Sequence, residues 1–142
     1  MALALAACSD PVARPRPVDT KNDACAWCRM SVSDVRFAAQ LAAPGEEPRF
    51  FDDVGCLRDF LAGSPDPVEG WTAFVADHRT KEWVPATTAV YTRVEGLATP
   101  MDSHLVAHAD AASRDADPEA MGGAPVPVAE LFAEKGLPGG KT

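Results

Sequence analysis

Apolar and polar residues alternate along the chain in a way that marks out short elements. The run "VRFAAQLAA" (35–43) reads as a short strand or a partly buried segment, and "PGEEP" (44–48) breaks it with proline and glycine. The next stretch, "RFFDDVGCLRDFLAG" (49–63), starts as a strand and turns into a helix. Asp52 or Asp53 can cap it, Val54, Leu57, Phe60 and Leu61 fall at helical spacing, and Gly63 ends it. Prolines and a glycine in "SPDPVEG" (64–70) then interrupt both periodicities and make a joint.

Beyond the joint, Trp71, Ala73 and Val75 alternate as in a strand over 71–80. The segment 82–94 is rich in β-branched and aromatic residues, with Pro85 restricting it to an edge or a bend. Thr99-Pro100 predicts a turn, 105–109 a strand and 128–135 a helix, before a loose tail over 137–142. Each half therefore reads as strands followed by a helix. The fold class is α+β, with two small similar lobes over 23–63 and 70–136, each a few antiparallel strands plus a helix.

Charge narrows the function. Among 142 residues the formal net charge is −8, which repels phosphate and argues against nucleic acid as a partner. No run approaches the roughly 18 apolar residues that span a bilayer. The N-terminus adds a different expectation. "MALALAAC" places small residues just before Cys8, the pattern of a bacterial lipoprotein signal in which that thiol is lipidated. The run is shorter than a secretory signal and lacks a positive start, so it reads as a truncated signal. Pro11, Pro15 and Pro17 then predict an extended, solvated tether over 9–22. Anchor, tether and domain in that order place the folded part outside the cytoplasm, held to a membrane by its lipid.

With Cys8 lipidated, three cysteines remain, and an odd number in an oxidising compartment leaves at least one thiol free or ligating. Two of them lie in "DACAWCRMSV" (23–32), where Cys25, Cys28 and Met30 put three sulfurs within six positions. One reading of C-x-x-C is thiol–disulfide exchange, but the expected strand before the pair is absent. Another is structural zinc, for which no second knuckle exists, only Cys56 and the scattered His78, His104 and His108. The third is a soft monovalent ion. Thiolate and thioether together select Cu(I), and on an extended segment Cys28 and Met30 share a face. Met101, beside the Thr99-Pro100 turn, and His104 are candidates for the remaining ligands.

Plainer roles stand beside these. Cys56 lies in an apolar helical stretch and reads as a core thiol, and Asp52-Asp53 reads as a helix cap. His78 and His108 read as surface or satisfied histidines, and the three tryptophans as packing residues. No catalytic triad order, phosphate-cradling loop or HExxH stretch is present, so nothing points to an enzyme or to a small-molecule substrate.

The segments "CAWCRM", "FAAQL", "FFDDVGCLRDFL", "VADHRTKEWVPATTAVY" and "TPM" occur in the order found in the NosL family. Its members are periplasmic lipoproteins that act as copper chaperones for nitrous oxide reductase, and the resemblance runs from about Cys8 to about Ala107. It implies two similar α+β lobes, Cu(I) as the bound ion, a membrane anchor, and partners among the nitrous oxide reductase maturation proteins of denitrification. The family's C-x-M element carries copper binding onto Cys28 and Met30. This chain departs from the pattern in two places: Arg29 stands where glycine is usual, and Asp102-Ser103-His104 follow "TPM" in place of small residues.

Overall fold

The computed structural model describes residues 12–139; Cys8 and the expected lipoprotein signal lie outside them. Two antiparallel sheets form the body. The first contains β1 (Ala39–Ala42), β2 (Arg49–Phe51), β3 (Thr72–Ala76) and β4 (Trp83–Pro85) in the order β2-β1-β3-β4. The second contains β5 (Val90–Arg93), β6 (Leu105–His108) and β7 (Ala124–Val126) in the order β6-β5-β7. Helix α1 (Val54–Gly63) follows β2, α2 (Ala111–Asp115) follows β6, and α3 (Val128–Leu131) follows β7, with 3-10 turns at Val35–Phe37 and Pro118–Ala120. The α+β class with two small units is what the sequence pattern predicts.

The boundary between the units falls elsewhere. Residues 64–70 do interrupt the chain, yet β3 crosses back to pair with β1 (Leu41 opposite Ala73, Ala39 opposite Val75). The first sheet therefore extends to Pro85, which sits on its edge strand β4 as a proline must. Periodicity locates strands and breaks but carries no information on which strands pair. Helix α3 is also shorter than the predicted 128–135, ending at Leu131 as Phe132 leaves helical geometry.

One core serves both sheets. Leu41, Phe51 and Val75 of the first pack in the same buried cluster as Leu57 of α1, Tyr91 and Leu105 of the second, and Phe132. All four residues of β1 are buried, including Gln40, so this strand is covered on both faces. The second cover comes from the N-terminal segment. Gln40 Oε1 accepts from Arg16 N–H at 3.0 Å and its Nε2 donates to Arg16 carbonyl at 2.9 Å, a backbone-like pairing that satisfies a buried amide. Val18 packs nearby against Val32, Ala38 and Phe50. The proline-rich stretch is thus fastened to the sheet at Arg16 rather than solvated throughout.

Helix α1 begins as its sequence indicates. Asp53 is the N-cap, its Oδ1 accepting from Gly55 N–H at 2.7 Å, and Val54, Cys56, Leu57, Phe60 and Leu61 are buried. The other oxygen, Oδ2, accepts from Met101 N–H at 3.0 Å, so one fully buried carboxylate joins the helix to the loop carrying "TPM". Gly55 keeps this contact close, since a Cβ there would stand 2.8 Å from Ser103 Cβ. Replacing Asp53 by Ala removes the cap and leaves the Met101 N–H without its acceptor. The expected cost is about 2–3 kcal/mol of unfolding free energy in denaturant titration.

Candidate metal centre

The residues 23–32 form a tight reversal held against β2. Cys25 N–H donates to Met30 carbonyl at 2.7 Å and Arg29 N–H to Cys25 carbonyl at 3.0 Å, while Ala26 N–H donates to Phe50 carbonyl at 2.8 Å. Residues 26–28 are a turn, and Arg29 has φ +69°, in the left-handed region where glycine is at ease. The extended geometry expected for Cys28 and Met30 is therefore replaced by a bend between them. An arginine at position 29 gives no sign of such a bend, whereas the glycine usual in the NosL pattern would.

Turning the chain here brings together donors that are scattered in sequence. Cys25 is held at the turn's base, Cys28 on the turn itself, Asp52 just after β2, and Cys56 in the first turn of α1. The thiol sulfurs and one carboxylate oxygen all lie within 4.8 Å of one another. Cys28 Sγ is 3.3 Å from Asp52 Oδ1, and Cys28 N–H donates to Cys25 Sγ at 3.5 Å. Cys25, Asp52 and Cys56 are buried and Cys28 is half-buried, so it is the member nearest solvent. Sulfurs on a tetrahedral ion with bonds of about 2.3 Å stand about 3.8 Å apart, so the set needs little contraction to close on a metal.

The three thiols differ in acidity. A hydrogen bond from the Cys56 thiol holds Cys25 down at about 6, against the effect of burial and with help from the backbone N–H groups of Cys28, Asp52 and Trp27. Burial pushes Cys28 up to about 11, reinforced by its contacts to Cys25 and Asp52. Cys56 is pushed far up, first by giving its proton to the bond with Cys25 and then by burial. The centre thus pairs one acidic thiol, Cys25, with a neighbouring thiol that donates to it. That arrangement suits metal binding better than disulfide exchange: the acidic sulfur, Cys25, is only 1% exposed, and the reachable one, Cys28, is the poorer nucleophile.

Of the residues singled out in the sequence, Cys28 lies inside this cluster. Met30 is 60% exposed and Met101 46%, both with side chains open to solvent. His104 is half-buried with φ +59°; its N–H donates to Thr99 Oγ1 at 3.1 Å and its Nδ1 lies 2.9 Å from Leu97 carbonyl. A carbonyl only accepts, so Nδ1 carries the proton and Nε2 is left with its lone pair. The sequence reading gave Cys56 and Asp52 structural roles, core and cap. Both are indeed buried at those places, but the helix start that buries them also aims them at Cys25 and Cys28. The spacing D-D-x-x-C across a predicted cap was the available signal, since it puts the residue before the cap and the third helical residue at one helix end.

Fold and donors together define a small two-sheet protein with a buried thiol-rich cluster of potential metal donors. The NosL family model matches residues 17–135, most of the chain, and the protein belongs to the NosL family. Membership implies a copper-binding chaperone role rather than an enzyme's. Neither a curated protein nor a solved structure matches the chain.

The Cys25 pKa can be tested directly. Because it is depressed relative to an ordinary thiol near 9, one thiolate should be present in the metal-free protein at pH 7 and vanish as pH falls through about 6. This group's contribution to stability is full above pH 9, falls as pH drops from 9 to 6, and is absent below. Cys28 acts oppositely, its share falling as pH rises from 9 to about 11. Thiolate absorbance in the ultraviolet should show the step near pH 6 and lose it in Cys25→Ser.

Proposed function

We propose that the protein is a periplasmic, lipid-anchored Cu(I) metallochaperone that delivers copper for nitrous oxide reductase assembly by ligand exchange. The observation that carries this reading is the convergence of Cys25, Cys28 and Cys56 with Asp52 at one turn, in a chain of the NosL family. Soft thiolates favour Cu(I) over the harder ions of the periplasm. Copper is cargo here, so the centre must release it as well as bind it.

The gradient of exposure supports such a release. Cys25 and Cys56 lie in the core, Cys28 is half-buried at its edge, and Met30 is exposed to solvent. Cargo meets Met30 and Cys28 first and reaches the buried thiolate afterwards; a partner's ligands would take it away in the reverse order. No electron moves and copper stays monovalent throughout. Met101 and His104 are further donors, Met101 because Asp53 fixes its backbone beside α1 and His104 because its Nε2 is uncommitted. Lipidation of Cys8 would hold the protein at the membrane, near the nitrous oxide reductase maturation proteins that receive the metal.

A second reading is favoured by Asp52. Three cysteines and a carboxylate complete the four donors of a structural zinc site, which the sequence alone did not supply. Two measurements separate them. Protein purified without oxygen should carry no zinc on its thiols, read as the absence of Zn–S scattering in X-ray absorption spectra. An anaerobic Cu(I) titration against a competing chelator should show Cys28→Ser and Met30→Leu each weakening binding by more than about tenfold, ~1.4 kcal/mol. Affinity unchanged in both variants would sink the copper assignment, and one zinc held through sulfur would favour the structural reading.

A further inference from the structure

Away from the sulfur centre, three other donors converge where the two sheets meet. His78 lies two residues past β3, and its N–H donates to Ala107 carbonyl on β6 at 2.8 Å. His108 is the last residue of β6. Asp117 caps the 3-10 turn at Pro118–Ala120 through Oδ1, which accepts from Glu119 N–H at 3.0 Å. The three residues are 3%, 0% and 4% exposed. Their remaining polar atoms meet at a point: Asp117 Oδ2 is 2.6 Å from His78 Nδ1 and 2.8 Å from His108 Nε2.

Proton positions in this cluster conflict. Burial opposes ionisation of Asp117, but the bonds from His108 and His78 outweigh it and hold the carboxyl below its ordinary value. An ionised carboxylate only accepts, so both ring nitrogens facing it must carry hydrogen. For His78 this leaves Nε2 3.2 Å from Glu119 Oε2 without a hydrogen bond in suitable geometry. Neutral, the ring would turn that nitrogen's lone pair toward a carboxylate oxygen; doubly protonated, it would be a buried cation whose Nε2 proton lacks a hydrogen bond. A metal on Nδ1 would replace the proton shared with Asp117 and leave a neutral ring with its proton on Nε2, 3.2 Å from Glu119 Oε2. This is the carboxylate–histidine–metal arrangement that orients ligating imidazoles. His108 Nδ1 is likewise buried and unpartnered, free to hold its ring's proton when Nε2 ligates.

The surrounding charge favours a dication. Glu119 touches His78, Arg36 bonds both Glu119 at 3.4 Å and Asp34 at 2.8 Å, and no other cation contacts this group among the described residues. With Asp117 included, the carboxylates exceed the guanidinium by two charges. Donors on a tetrahedral ion with bonds of about 2.0 Å sit about 3.3 Å apart, so the cluster must open by roughly half an ångström. All three donor atoms already lie within 4.8 Å of one another.

We propose that His78, His108 and Asp117 form a second metal site, for a borderline divalent ion such as Zn(II). Imidazole and carboxylate suit such ions, while the thiol-rich centre suits a soft monovalent one, so the two sites sort metals by chemistry. The ion pins the end of β3 to the end of β6.

Anaerobic titration with Co(II) as probe distinguishes the sites, since thiolate-bound cobalt absorbs strongly in the near ultraviolet and imidazole-bound cobalt shows only visible d–d bands. The expected result is two equivalents, one with the thiolate band and one without. His108→Asn and Asp117→Asn should each lose the second and keep the first, which also reports an intact fold. On unmodified protein whose thiol centre is already loaded with Cu(I), one equivalent of Zn(II) should shift the ring nitrogens of His78 and His108 in NMR spectra, whatever the variants do. Cobalt binding with thiolate bands alone, both variants retaining both equivalents, or ring nitrogens that stay doubly protonated after Zn(II) is added would overturn the proposal. Loss of only the thiolate band would count against the sulfur centre and leave this site standing.

Discussion

The junction between β2 and α1 determines how the rest of the centre is arranged. Asp52 and Asp53 are adjacent, and extended backbone sends neighbouring side chains in opposite directions. Asp53 turns to the helix, capping it with one oxygen and holding Met101 N–H with the other. Asp52 turns to the sulfurs and meets Cys28 at 3.3 Å. The cap starts α1 where it does, and that start brings Cys56, third in the helix, round to the same side as Asp52. Were the helix to begin one residue later, the helical rotation of about 100° per residue would carry Cys56 off the cluster. A local capping bond thus fixes both a metal donor and the loop opposite it.

How much of this was legible depends on the range of each interaction. Helix α1 could be read because cap, apolar spacing and terminal glycine are all local. The strands could be read for the same reason, though their pairing could not: β3 joins the first sheet across the joint at 64–70, and nothing in its own residues says so. The metal centre was half visible. Cys28 stands out in sequence, but its partners Cys56 and Asp52 have credible local roles that hide a second one. Burial and ligation are not exclusive, because a donor aimed inward satisfies both.

The bend at Arg29 and the histidine cluster were hidden for different reasons. Left-handed backbone is recognised through glycine or asparagine, so an arginine at φ +69° is silent until the turn is seen. The clustered histidines and carboxylate are 39 and 9 positions apart, so only tertiary structure joins them. Read singly, a histidine beside a strand is an ordinary satisfied histidine. Read together, two imidazoles on one buried oxygen are neither surface groups nor fully satisfied ones, since one nitrogen of each lacks a partner.

Both clusters follow one structural logic. Each lies where separate segments meet: the N-terminal turn, β2 and α1 in one case, the ends of β3 and β6 with the Asp117 turn in the other. Placing ionisable groups at such seams is costly in the metal-free chain, because buried charge is desolvated and must find partners. Cys25 draws its partner from the Cys56 thiol, and Asp117 from two imidazoles. These are provisional partners, each a proton donor standing where a cation would serve better. In each cluster a bound cation would take the place of a donated proton, with the donor side chains already gathered within 4.8 Å of one another.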